Sequence, residues 1–217
     1  SDLNGDGHGD IILGAGREEF KACDSAVFAL DGTNGKMLWK VSAKDQIFGS
    51  ATLQDITDDG IVDVFICGRS AELKAINGAT GELIWEFWPQ DTTIKSSESG
   101  WYNFYNPQFI SDQNSDRQMD ILVSNGGDVL VEPYDPNRPA GSLLILDGQS
   151  GELISKASMP DGRETYMSVA ATADGDDFNV VFGTGGETVG GHLYVARLSE
   201  IRNGDLSRAI ELASSPD

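Results

Sequence analysis

The chain of 217 residues is poor in the groups that most enzymes and nucleic-acid binders depend on. Two cysteines, Cys23 and Cys67, are too few for a disulfide framework, although one bridge is open to them. Two histidines, His8 and His192, stand in no spacing that marks a catalytic pair, and no Gly-x-Ser-x-Gly elbow is present. Basic residues number 15 against 35 acidic ones, for a formal net charge of −20. A surface of that sign releases no phosphate counterions, which excludes nucleic acid and anionic membranes as partners. No apolar run approaches the ~20 residues needed to span a bilayer. The glycine-rich "GTGGETVGG" at 183–191 joins two expected strands and opens no helix, so it is not a phosphate cradle. The chain opens on Ser1 without a signal peptide, which reads as a processed or excerpted segment.

What is present is turn chemistry and repetition. Glycine occurs 26 times, and short Val/Ile/Leu runs alternate with Gly, Asp and Asn, the pattern of an all-β chain. "DLNGDGHGDIILGAG" at 2–16 returns as "DITDDGIVDVFICGR" at 55–69 and "DQNSDRQMDILVSNG" at 112–126. "AVFALDGTNGKMLWKV" at 26–41 returns as "ELKAINGATGELIWEF" at 72–87 and "SLLILDGQSGELISKA" at 142–157. A worn fourth copy of both follows, at 171–185 and 192–212. Because the two patterns alternate, each repeat of ~50 residues holds four short antiparallel strands, the unit of a β-propeller blade. The expected fold is one propeller segment with blades near 1–47, 48–105, 106–164 and 165–217. The first blade lacks its innermost strand, so the segment is expected to be part of a larger ring of ~6–8 blades, with a compact four-bladed ring as the alternative.

In the first three copies oxygen side chains fall at i, i+2, i+4 and i+8. The sets are Asp2/Asn4/Asp6/Asp10, Asp55/Thr57/Asp59/Asp63 and Asp112/Asn114/Asp116/Asp120. Short oxygen ligands at alternate positions of a tight loop suit Ca²⁺, which accepts six to eight oxygens at irregular angles. The main-chain carbonyls of His8, Ile61 and Gln118 at i+6 would add one ligand each, and Gly7 and Gly60 permit the turn at i+5. Three calcium sites are therefore expected. The competing reading, aspartates that merely cap turns, is weakened by the threefold recurrence of one spacing. The fourth copy has Ala171, Ala173, Gly175 and Asn179 at these places, and no metal is expected there.

The EF-hand template fits only in part, because Leu13, Ile66 and Val123 stand where its closing glutamate belongs. A shortened loop of this kind between two strands resembles the calcium loops of FG-GAP repeats, the blades of integrin alpha-chain propellers. Thr57 and Arg117 depart from that pattern. "ALDGTNGKMLWK" and "AINGATGELIWE" are similar to quinoprotein (PQQ-type) propeller repeats, in which Trp39 and Trp85 would wedge between blades. Quinoprotein dehydrogenases use a vicinal cysteine pair, whereas Cys23 and Cys67 are far apart in sequence. The resemblance therefore implies the fold and not the activity.

Strand alternation puts the acidic loops and the Thr-Gly turns at one end of every blade. The longer connections, 17–24, 89–106, 126–141 and 185–192, fall at the other end, where binding on a rigid scaffold usually lives. Trp88, Trp101, Tyr102, Phe104, Tyr105 and Tyr134 make that face a candidate site for a protein or carbohydrate partner. The leading functional expectation is a calcium-binding, non-catalytic binding or scaffold propeller located outside the cell, on its surface or in the periplasm. The alternative is the propeller portion of a secreted enzyme, a polysaccharide lyase or quinoprotein oxidoreductase. For that reading the candidates Arg69, Lys74, Arg163 and Glu187 carry no spacing signal.

Overall fold

The computed structural model describes residues 1–89, 101–127, 131–132, 134–186 and 189–215. They form four antiparallel sheets, each a meander of consecutive strands. The first has three strands, β1 (Ile11–Gly14), β2 (Cys23–Leu30) and β3 (Met37–Ala43). The second holds β4 (Thr52–Gln54), β5 (Asp63–Cys67), β6 (Leu73–Ile76) and β7 (Leu83–Phe87). The third holds β8 (Asn103–Ile110), β9 (Asp120–Gly126), β10 (Ser142–Leu146) and β11 (Leu153–Ser158). The fourth holds β12 (Ala170–Asp174), β13 (Asp177–Gly183), β14 (His192–Arg197) and β15 (Ile210–Ser214). One short helix, α1 (Leu198–Arg202), follows β14. The expected blades are therefore present and the first lacks a strand. The boundary set at 105/106 cuts β8, which already begins at Asn103. Both cysteines are free.

The chain divides into two compact units, Ser1–Pro89 and Gln90–Asp217, each with two sheets. In the first unit Val27, Ala29 and Trp39 of one sheet pack with Val64, Ile66 and Ile76 of the other. Trp39 is the wedge its repeat position suggested: its indole Nε1 donates to the Gly78 carbonyl of the next sheet at 2.7 Å. Its β-carbon lies where any side chain at Gly81 would stand, 2.6 Å from an ideal Cβ there. In the second unit the equivalent of Trp39 is Ser155, as the paired registers Ala29↔Trp39 and Ile145↔Ser155 show. The volume an indole would fill is taken by α1, whose Leu198 and Ile201 are buried. The Ser155 hydroxyl donates to the Ile201 carbonyl at 2.9 Å. A β-bulge recurs one step beyond these pairs in the first three sheets, skipping Leu38, Ile84 and Ile154 in turn. It adds local twist to the outer strand of each blade.

Strands β5, β6, β9 and β10 are buried along their whole length, so both of their faces are covered. Burial on both faces creates an electrostatic problem at Lys74 of β6. Its ammonium, 4% exposed, lies 3.0 Å from the fully buried Glu72 and also pairs with Glu86, which in turn pairs with Lys44. Burial pushes the Glu72 carboxyl above its ordinary value, and the Lys44 amide and the Lys74 charge offset this only in part. Removing one partner of a buried pair leaves the other uncompensated. Lys74→Met should therefore destabilise the protein by about 3–5 kcal/mol, read from urea melts. Without Lys74 the Glu72 carboxyl rises further, so the folded state keeps a proton that the unfolded chain sheds near 4.5. The variant's stability should be greatest below that pH and fall as pH climbs.

Candidate functional site

The three acidic loops are built alike. In the first, Asp2 accepts from the amides of Gly5, Asp6 and Gly7, at 2.8, 3.3 and 2.8 Å. In the third, Asp112 accepts from Asn114, Ser115 and Arg117, at 3.0, 2.6 and 2.8 Å. In the second, Asp55 accepts from Gly60 at 3.0 Å. The i+4 aspartates, Asp6, Asp59 and Asp116, accept from the amides of His8, Ile61 and Gln118. The Gly7 amide holds the Asp2 carboxyl below its usual range, and the Arg117 amide does the same for Asp112. Two loop positions take left-handed backbone in every copy. Gly5, Asp58 and Ser115 occupy i+3, and Gly7, Gly60 and Arg117 occupy i+5. The i+3 position was not evident from residue type, because only one copy has glycine there.

The i+8 aspartates do something the spacing alone did not reveal. Asp10 accepts from Leu3 of its own loop at 2.7 Å and from Gly32 at 3.0 Å. Asp63 accepts from Ile56 and Thr57 at 2.9 and 3.0 Å, and from Gly78 at 3.2 Å. Asp120 accepts from Gln113 at 2.5 Å and from Gly148 at 3.4 Å. Each carboxylate thus clamps the acidic loop to the hairpin turn of its own sheet. The approach leaves no room for a side chain at those glycines. An ideal Cβ on Gly32, Gly78 or Gly148 would lie 1.8, 1.9 or 2.1 Å from the carbonyl oxygens of Gly9, Val62 and Met119. The fourth sheet has no such loop, since β12 and β13 are joined directly by residues 175–176.

A divalent cation can be weighed against this donor set. Among the described residues, no three His, Cys, Asp or Glu side chains gather closely enough to hold a metal on their own. The clamp explains why: it turns the third carboxylate of each loop toward main-chain amides. A cation would therefore draw on Asn4, Thr57 or Asn114 and on main-chain carbonyls as well. Two observations fit that demand. Asp55 Oδ1 is buried without a hydrogen-bond donor, an acceptor left over in the second loop. In the third loop, burial and the charges of Asp147 and Asp116 push the Asp120 carboxyl up to about 6. Asp147 belongs to the hairpin motif, and the Asn114 amide bridges it to Asp116, at 2.5 and 3.3 Å. Its counterpart Asn77 donates to Asp59 at 2.9 Å. Sequence reasoning placed both outside the loops, although their place in the alternating pattern was the available signal.

At the opposite end, the aromatic residues expected to meet a partner separate into two groups. Tyr102, just before strand β8, and Phe104, within it, are buried, at 4% and 0% exposure. That corrects their assignment to a loop surface. Trp88 lies under the Lys44 ammonium and Trp101 under that of Lys156, at 5.1 and 4.0 Å from the ring centres. Tyr105 packs against Tyr166 with ring centres 6.0 Å apart. Tyr134 alone of the six is broadly exposed, at 77%. Of the residues considered for an enzyme, Lys74 is locked in the buried ion cluster and Arg69 pairs with Glu19 at 2.9 Å. Glu187 lies outside the described residues. His192 has an acidic neighbour that the sequence did not disclose, with Nδ1 3.2 Å from Glu211 of the adjacent strand.

The clamp makes Asp63 costly to remove. Asp63→Ala orphans three amides, at about 1–3 kcal/mol for each buried one, and should lower the urea midpoint equally with and without a chelator. Asp59→Ala should cost far less in chelator. Arg117 holds left-handed backbone where the other copies have glycine, so Arg117→Gly should raise stability by about 1 kcal/mol, seen as a higher melting temperature.

No curated protein matches the chain. Solved structures similar to it include the quinohemoprotein alcohol dehydrogenase ADHIIG of Pseudomonas putida HK5, at 14% identity and a TM-score of 0.45. That match covers 87% of this chain and 31% of the other. The exotype rhamnogalacturonan lyase YesX matches at 14% identity and a TM-score of 0.41, over 94% of this chain and 36% of the lyase. The chain thus spans about a third of the length of each. A family model described as the FAM234A/B beta-propeller matches residues 15–195. The chain belongs to the FAM234A/B beta-propeller family.

Proposed function

We propose that this chain is a calcium-stabilised propeller segment of FG-GAP type that serves as a non-catalytic binding or scaffold module. It works outside the cell, at its surface or in the periplasm, where calcium is abundant enough to fill loops of modest affinity. The observation that carries the reading is Asp55 Oδ1, a buried acceptor with no donor in a loop of the calcium-like spacing. The surroundings of Asp120 support it: burial and, in smaller part, the charges of Asp147 and Asp116 raise its carboxyl, and a cation bound beside Asp116 would relieve the repulsive part. Partners engage the face opposite the acidic loops. A second reading, the propeller portion of a lyase or quinoprotein oxidoreductase, draws on the His192–Glu211 contact. Turnover of uronic-acid polymers, or a quinone absorbance band in the purified protein, would favour it.

Each filled loop, at calcium about 100-fold above its Kd, should raise the melting temperature by roughly 5–10 °C over chelator. Asp59→Ala should reduce the bound calcium by one ion per chain while leaving the other loops filled. Identical melts in calcium and chelator, with no ion retained in elemental analysis, would overturn the reading.

A further inference from the structure

Two cavities adjoin at the end of the second unit that lies away from the acidic loops. The larger, about 380 Å³, is lined by Tyr166, Met167, His192, Leu193 and Ala213 together with Gly183–Gly186 and Val189–Gly191. The smaller, about 270 Å³, is lined by Tyr134, Pro136, Arg138, Arg163 and Glu164. They share Gly185 and Val189, so one ligand could continue from one into the other. Each has the scale of a site for one small-molecule unit, near the lower end of the ~300–1,000 Å³ typical of ligand pockets.

The chemistry of the walls narrows the ligand. Arg138 and Glu164 form a forked pair, with Nε and Nη2 of the arginine 2.7 and 2.6 Å from one carboxylate oxygen. Arg138 also donates to the Tyr166 hydroxyl at 3.3 Å. Both members are nearly buried, at 10% and 6% exposure, and their charges cancel. The wall is therefore rich in hydrogen-bonding groups but carries little net charge, which suits a neutral polar ligand. A polyanion would meet the repulsion of a chain with a net charge of −20. A cationic ligand would find no excess of acid here, in contrast to the loops at the other end.

The glycine connection shapes the floor and argues against a peptide in extended pairing. A Cβ on Gly186 would lie 2.1 Å from Glu164 Oε1, and one on Gly191 would lie 1.8 Å from the Thr184 carbonyl oxygen. Side chains are thus excluded at Gly186 and Gly191, where main chain lines the space beside Val189. Part of the main chain's polar surface is engaged: Gly185 donates to Glu164, Gly186 to Val189, and Gly191 accepts from Ser215. The Gly185 and Gly186 amides and the Gly191 carbonyl are therefore not open to a pairing strand. The exposed Tyr134 ring of the smaller cavity and the half-buried Tyr166 ring of the larger one offer apolar faces instead. Flat aromatic faces beside a hydrogen-bonding pair match the two-sided character of a sugar ring, whose C–H face is apolar and whose edge is hydroxylated.

We propose that these paired cavities bind two adjoining units of a neutral linear glycan, with Tyr134 as a stacking face and the Arg138–Glu164 pair as the hydroxyl-reading group. The inference rests on the binding-module reading and names its ligand class.

The test is isothermal titration of the full chain, in calcium, with cello-, xylo- and manno-hexaose, with polygalacturonate, and with an unstructured peptide of mixed sequence. At least one neutral hexaose should bind, and Tyr134→Ala should weaken it about tenfold. The same variant should melt with the parent, because Tyr134 is exposed. Absence of binding by every neutral hexaose overturns the proposal, as does tighter binding of the uronate or the peptide. So does a Tyr134→Ala variant with unchanged affinity. None of those results touches the calcium response, which tests the underlying reading separately. Cleavage of a bound hexaose, seen as shortened products, would keep the site and overturn the non-catalytic role.

Discussion

The carboxylate at the eighth step of each acidic loop is the contact on which the blade geometry depends. Asp10, Asp63 and Asp120 each accept an amide from their own loop and another from the glycine of the following hairpin. Two turns from different parts of a sheet are thereby fixed against each other at one end. The short strands between them, three to eight residues, then have little freedom in register. The hairpin glycine is needed for the closeness of that contact, not for an unusual backbone angle. The second glycine of each turn is needed for its angle, Gly35, Gly81 and Gly151 taking φ of 71°, 76° and 74°, and Gly81 also for the closeness of Trp39. Two glycines three residues apart thus answer two different physical demands.

This division explains how much the sequence disclosed. Repetition of the two patterns was enough to give four meander sheets, the short first sheet and the end of each blade on which the acidic loops lie. Strand positions followed because apolar runs and turn residues alternate without ambiguity. The clamp was hidden because it joins residues from the two patterns, which are separate in sequence and meet only when the sheet forms. For the same reason Asn77 and Asp147 read as hairpin residues although they reach the acidic loops. Tyr102 and Phe104 misled because an aromatic-rich stretch beside a long connection reads the same whether it ends as loop or begins as strand. His192 gained its neighbour Glu211 from a strand pairing that no local spacing records.

Charge is handled differently at the two ends of the blades. Around the acidic loops, negative charge is met mainly by main-chain amides, whose partial positive ends converge on Asp2 and Asp112 and depress their titration. Where amides run short, as at Asp55 Oδ1, or where carboxylates crowd, as around Asp120, an oxygen or a charge is left over. At the other end, opposite charges are paired within the protein, in the Lys74 cluster of the first unit and the Arg138–Glu164 fork of the second. Negative charge is thus left over at one end and cancelled at the other.

The exchange of an indole for a serine and a helix has a wider meaning. In the first unit a single large side chain spans the gap between sheets, while in the second the polypeptide itself loops out to fill it. What must be preserved from blade to blade is the filled volume and not the residue that fills it. Outer-strand tryptophans can therefore disappear from a repeat array without loss of architecture, and motif searches keyed to them will undercount the blades of such proteins.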